Sequence, residues 1–165
     1  VSADLEEFSE FAAARGTQLF RMAYLLAGDR HAAEDLTQTT LGKLYASWSK
    51  VSRADNPVAY SRTVMVRTYV ASQRRTRLER PTAEVPDSGR HGEDTALRLT
   101  LFSALAELPG RDRAIVVLRY WEDHSVEDTA TILGVSSGTV RTRSQRALGK
   151  LRQRLGTEIS ELSGR

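Results

Sequence analysis

Apolar residues recur along this chain at steps of three and four, and nowhere do they alternate convincingly with polar ones. Leu5, Phe8, Ala12, Leu19, Met22 and Leu26 follow that rhythm, which lays one apolar stripe along a helix. Gly28 ends the pattern and Asp29, a residue type that caps helix N-termini, predicts the start of a second helix. There Ala33, Leu36, Leu44 and Trp48 share one face and leave Glu34, Asp35, Gln38 and Lys43 on the other. A polar loop, Lys50 to Asp55, is expected next. Asn56-Pro57 then supplies a cap and a proline at the first helical position, opening a basic helix to about Arg77 that carries Arg62, Arg67, Arg74 and Arg75.

From Pro81 to Asp94 the rhythm lapses: two prolines, two glycines and four acids leave Val85 as the one clear core candidate, so this stretch reads as an exposed linker. Leu97, Leu101, Ala104, Leu105 and Leu108 resume the helical spacing, Pro109-Gly110 breaks it, and Ile115, Val116 and Leu118 carry it on to Trp121. Trp48 and Trp121 end apolar faces and are both expected in the core. Ser125-Val126-Glu127-Asp128 matches a capping box with Asp in place of Glu, and it starts a short helix that Gly134 stops. Gly134-Val135-Ser136 is then a three-residue turn whose valine tucks between two helices, with Ser136 or Ser137 capping the second. In that second helix Val140, Ser144, Ala147, Leu148, Leu151 and Leu155 face inward, which sends Arg141, Thr142, Gln145, Arg146 and Lys150 toward solvent. The predicted fold is all-α: two small helical domains, 1–79 and 96–165, joined by a flexible linker at 80–95.

Composition adds exclusions. With 165 residues, 40% hydrophobic and 27% charged, the chain has the make-up of an ordinary folded protein. Having no cysteine, it has no disulfide framework, thiolate zinc site or cysteine nucleophile. The apolar run Ala114 to Leu118 is far short of the roughly eighteen residues of a membrane span, and no charged-then-apolar leader opens the chain, so a cytoplasmic protein without membrane contact is expected. His31, His91 and His124 lie far apart, without metal-ligand spacing, and no cofactor is implied. Neither a glycine-rich phosphate loop, a recognisable carboxylate pair nor a nucleophile motif is present, so no catalytic residue is assigned and the chain is read as a non-enzyme.

Charge distribution says more than the net charge of +3. From Thr129 through Thr157 there is no acid, and the start of the last helix combines arginines, a threonine and a glutamine. Arginine forks match the O6/N7 edge of guanine, glutamine matches adenine, and a helix N-terminus favours phosphate. A turn of this kind in front of such a helix points to duplex DNA.

These residues resemble the bacterial extracytoplasmic-function (group IV) sigma factors, the small two-domain promoter-recognition subunits of RNA polymerase, and in particular their actinobacterial branch. In the second half, LP-x-R-x-R, the LG-V-S turn and the GTV-R-x-R-x-x-R-A run are similar to the family's region 4. In the first half, AYLLAGDRHAAEDLTQTTLGKLYASW is similar to region 2, and the likeness spans nearly the whole chain. It implies core RNA polymerase and promoter DNA as partners and admits an anti-sigma factor. By the resemblance, Asp35, Gln38 and Thr39 fall where the family docks on the clamp helices of the polymerase large subunit, with Thr39 standing where many members carry glutamate. The loop Lys50 to Asp55 falls where relatives capture a flipped base of the minus-ten element. Tyr60, Arg62, Arg74 and Arg75 line up with the helix that holds the minus-ten strand, in which Arg67 replaces an asparagine of many relatives. Arg141, Thr142, Gln145 and Arg146 occupy positions that read minus-thirty-five base edges, while Arg143 and Lys150 meet phosphate or pack. The competing reading is a stand-alone helix-turn-helix repressor or activator whose first half dimerises or senses; it would bind a palindromic operator without polymerase.

Overall fold

A computed structural model describes residues 2–76 and 93–163, with side chains for residues 3–75 and 98–156. Among the described residues all regular structure is helical, and the chain divides into two compact units, Val1–Pro81 and Thr82–Arg165.

In the first unit α1 (Ser2–Ala27) ends at Gly28, whose φ of +85° is the left-handed conformation that glycine adopts without a Cβ penalty. Asp29 caps α2 (Arg30–Ala46) by accepting from the Ala32 amide at 2.8 Å. Thr37 and Thr40 are buried on α2, and each hydroxyl donates to the carbonyl one turn back, of Ala33 and Leu36, which satisfies it inside the packed face. A short helix α3 (Trp48–Ser52) leads to α4 (Pro57–Thr76), which opens with the Asn56 side chain accepting from the Ala59 amide. Leu44, Trp48 and Val51 form a buried cluster, and Phe8 and Phe11 from α1 set their rings against Trp48 at 5.4 and 5.3 Å.

The second unit contains α5 (Glu93–Ala106), α6 (Gly110–Val116), a π turn (Val117–Trp121), α7 (Val126–Leu133) and α8 (Ser137–Ser163). Here α5, α6 and α7 all pack on α8. Arg113 donates from Nη2 to the carbonyls of Ala106 and Leu108, closing the C-terminal end of α5. Ile115, Ala130 and Val140 make the buried centre where α6, α7 and α8 meet, with Val126, Leu133 and Val135 packed around them.

Four expectations change. Lys50 to Ser52 are helical rather than loop, because Val51 is drawn into the aromatic cluster and takes its neighbours with it; the irregular stretch is only 53–56. Trp121 is 60% exposed, since the Glu122 amide reaches back to the Val117 carbonyl at 2.9 Å and this wider turn shifts the face that α-helical spacing would have buried. Leu5 is also exposed, in an early turn of α1. Glu93, Asp94 and Thr95, counted into the linker, already belong to α5, consistent with the favour acids enjoy in a first helical turn. The rest of the proposed linker, 80–92, lies outside the described residues, as does Arg77 at the foreseen end of α4.

Candidate nucleic-acid and protein interfaces

The turn between α7 and α8 is built from local chemistry. Ser125 accepts from the Asp128 amide at 3.0 Å and so caps α7, and Gly134 ends that helix in the left-handed conformation, φ +66°. The Val135 amide then bonds the Ala130 carbonyl at 3.0 Å, which turns the valine inward onto Ile115 and Val140. Of the two candidate caps of α8 it is Ser136 that serves: its hydroxyl accepts from the Thr139 amide at 3.1 Å.

This turn fixes which side of α8 faces out. Val140, Ser144, Ala147 and Leu151 are buried, whereas Arg141, Thr142, Gln145, Arg146 and Lys150 are all exposed. A shallow concavity lined by Ser136, Gly138, Thr139, Thr142, Arg143 and Arg146 runs along the first turns. Arg141 reaches Glu127 of α7 at 3.2 Å, an exposed pair worth at most about 1 kcal/mol and readily exchanged for a stronger partner. Arg143 is different. Its Nη1 lies 2.8 Å from Oδ1 of Asp112 on α6, and the Asp112 side chain is only 4% exposed. No sequence motif singles out Asp112; its spacing of three and four from Ile115 and Val116, on the apolar stripe of α6, is the signal that marks it as an inward-facing acid.

On α2, Ala33, Leu36 and Leu44 are buried and Glu34, Asp35, Gln38 and Thr39 are exposed. Asp35 lies 3.6 Å from His31 one turn earlier, both well exposed, and Arg30 pairs with Glu34 at 3.1 Å. Asp35, Gln38 and Thr39 thus share an open polar face opposite the core. Lys43 is exposed as foreseen, and its Nζ reaches α4, donating to the Thr68 hydroxyl at 3.1 Å. On α4, Arg74 and Arg75 are exposed and Arg62 is half-buried. Tyr60 packs against the Leu44–Trp48–Val51 cluster and Tyr69 is buried, so both rings belong at least partly to the core. Among the described residues no group of three His, Asp or Glu side chains could hold a metal ion, and no helix is long and apolar enough to cross a membrane.

The sequence profile of Sigma-70 region 2 matches residues 12–79, and that of Sigma-70, region 4 matches residues 104–153. The chain is 39% identical over 152 residues to the RNA polymerase sigma-E factor of Streptomyces coelicolor, covering 90% of this chain and 86% of that one. It is 33% identical to the ECF RNA polymerase sigma factor SigE of Mycolicibacterium smegmatis, over 96% of this chain and 65% of that one. The chain belongs to the extracytoplasmic-function sigma factors. Among solved structures it is similar to the sigma factor RpoE of Bartonella quintana in complex with the anti-sigma factor NepR, at a TM-score of 0.70 and 26% identity, covering 92% of this chain and 98% of that one.

This sigma factor directs promoter-specific transcription initiation with core RNA polymerase. The stand-alone repressor reading is not favoured, since the region 2 match accounts for a first half that a repressor would use otherwise. Its sigma-factor relatives are not enzymes.

Proposed function

We propose that α8 reads the minus-thirty-five element, with Arg141, Thr142, Gln145 and Arg146 at base edges and Lys150 on phosphate, while residues 1–79 bind polymerase and the minus-ten element. The observation that carries this reading is the acid-free, fully exposed stripe on α8, presented by a capped turn over a packed core. In the first unit, Asp35, Gln38 and Thr39 meet the clamp helices of the polymerase large subunit. Arg74 and Arg75, with Arg62 beside them, hold the minus-ten strand by charge, and Tyr60 stiffens that helix from its half-buried position. The irregular residues 53–56 are where a flipped base would be received.

The factor works in the cytoplasm, where polymerase and promoter are, and it contributes binding and not catalysis. No cofactor enters this scheme. An anti-sigma factor fits as its regulator, as the RpoE relative is solved with one.

The test pairs Asp35→Arg with Gln38→Ala in the full chain. Both side chains are exposed, so the double variant should keep the helical circular dichroism and melting curve of the wild type. Reversing a charge at a complementary interface costs several kcal/mol of association. The variant should therefore fail to co-purify with core polymerase and give no run-off transcript. Normal run-off from it would remove α2 from the polymerase interface.

A further inference from the structure

Asp112 and Arg143 stand 31 residues apart, on α6 and α8, and meet at 2.8 Å with the carboxylate almost wholly shielded from water. Arg143 keeps 35% of its side chain exposed, and such a pair is a poor source of stability, because desolvating the carboxylate offsets much of the attraction. What it does supply is direction. The buried side chains of this part of α8, Val140, Ser144 and Ala147, are small and pack without directional preference, and the Arg141–Glu127 pair beside them is exposed and weak, so these contacts hold the helix against its neighbours without opposing a small rotation about its own axis. A charge-assisted hydrogen bond does not tolerate it.

Arg143 also sits at a particular place on the helix circumference. At about 100° per residue, Arg146 and Thr142 lie about 60° and about 100° around from Arg143 in one direction, and the buried Ala147, Val140 and Ser144 lie about 40° to 100° around in the other. Arg143 therefore occupies the flank between the buried stripe and the exposed face, next to the very side chains assigned to base edges. A rotation of only about 15° would move an atom 6 Å from the axis by about 1.6 Å, more than a directional hydrogen bond to a base edge can absorb.

We propose that the Asp112–Arg143 pair is a positioning latch that sets the azimuth of the base-reading face of α8, so that Arg143 serves promoter recognition by holding α8 to α6 and does not touch DNA. The proposal rests on the assignment of α8 as the minus-thirty-five reader. It gives α6, which lies outside the turn itself, a share in sequence choice. It also separates Arg143 from its neighbours Arg141 and Arg146: of three arginines in six residues, two face DNA and one holds them in place.

The test uses holoenzyme made from the full chain and core polymerase, measuring binding to a preferred promoter and to single-base variants of its minus-thirty-five element at several salt concentrations. A base contact of this kind discriminates by about 5- to 150-fold. Asp112→Asn, which leaves every exposed side chain of α8 in place, should cut that discrimination at least about threefold without changing the salt dependence. Arg143→Met should do the same, whereas Arg143→Lys should recover part of it. The double variant Asp112→Leu with Arg143→Met should melt close to wild type yet still discriminate poorly, an outcome that a merely structural role would not give. The latch is overturned if Asp112→Asn binds all sequences more tightly, as a released phosphate-binding arginine would. It is equally overturned if Arg143→Met lowers the salt slope by about 0.9, the signature of one lost phosphate contact, or if discrimination returns in the double variant. Arg146→Ala separates the two levels: if it leaves discrimination intact the base-reading assignment falls and the latch with it, and if it abolishes discrimination while Asp112→Asn does not, the latch alone falls.

Discussion

Gly134 offers a clean measurement of what the turn in front of α8 is worth. Its φ of +66° and ψ of +37° lie in the left-handed region, and a Cβ built there meets no atom within 4 Å. Side-chain size is therefore not at issue, and any cost of substitution is backbone cost. Holding alanine in that region costs about 1–2 kcal/mol, and stiffening the unfolded chain by removing a glycine returns about 0.4–1 kcal/mol. The net loss for Gly134→Ala is thus about 1 kcal/mol. Asparagine enters the left-handed region readily, so Gly134→Asn should lose less than half as much, while the β-branched Gly134→Val should lose more than alanine. Hydrogen exchange followed by mass spectrometry isolates the effect, because amides of α7 and α8 report on their own unit. A loss of about 1 kcal/mol speeds their globally protected exchange about fivefold and lowers the melting point of a domain this size by about 4–8 °C. Equal losses for asparagine and alanine, or a valine variant no worse than alanine, would refute the backbone argument and point to a steric or functional constraint instead.

Two other outcomes follow from the same unit. Arg141→Ala or Arg146→Ala should weaken holoenzyme binding to a preferred minus-thirty-five sequence by about 1–3 kcal/mol and relax the choice of base, whereas Lys150→Ala should weaken all sequences alike; fluorescence anisotropy on single-base variants distinguishes the two patterns. Ile115→Ala, at a fully buried side chain in the centre of α6, α7 and α8, should cost about 2–5 kcal/mol of stability in a urea titration, and a loss below 1 kcal/mol would mean that the site collapses around the cavity.

What could be read from the sequence was what local chemistry decides. The caps at Asp29, Asn56 and Ser125, the left-handed glycine at 134 and the inward valine at 135 each involve residues within a few positions of one another, and all appear in the structure. The exposed residues of α8 were legible for the same reason, since helical spacing continues unbroken from the turn. Features set by distant contacts were not legible. Val51 is drawn into helix α3 by aromatic residues of α1 and α4, and nothing near it in the sequence foretells that. Trp121 turned outward because one wide turn altered the spacing on which its burial was inferred. Arg143 was recognised as a residue of the basic stretch, but its partner lies 31 positions earlier, and only folding brings the two together.

The two tryptophans have a consequence for observing the molecule at work. Trp48 is enclosed by Phe8 and Phe11 in the first unit, and Trp121 stands open to water in the second. The chain is thereby born with two optical reporters of opposite character, one emitting toward the blue and shielded from acrylamide, the other emitting toward the red and quenched by it. A ligand that covers the second unit near Trp121 changes the red, quenchable component alone, and one that disturbs the packing of α1 on α3 changes the blue. The order in which polymerase, promoter and regulator engage the two units can thus be followed without attaching a dye.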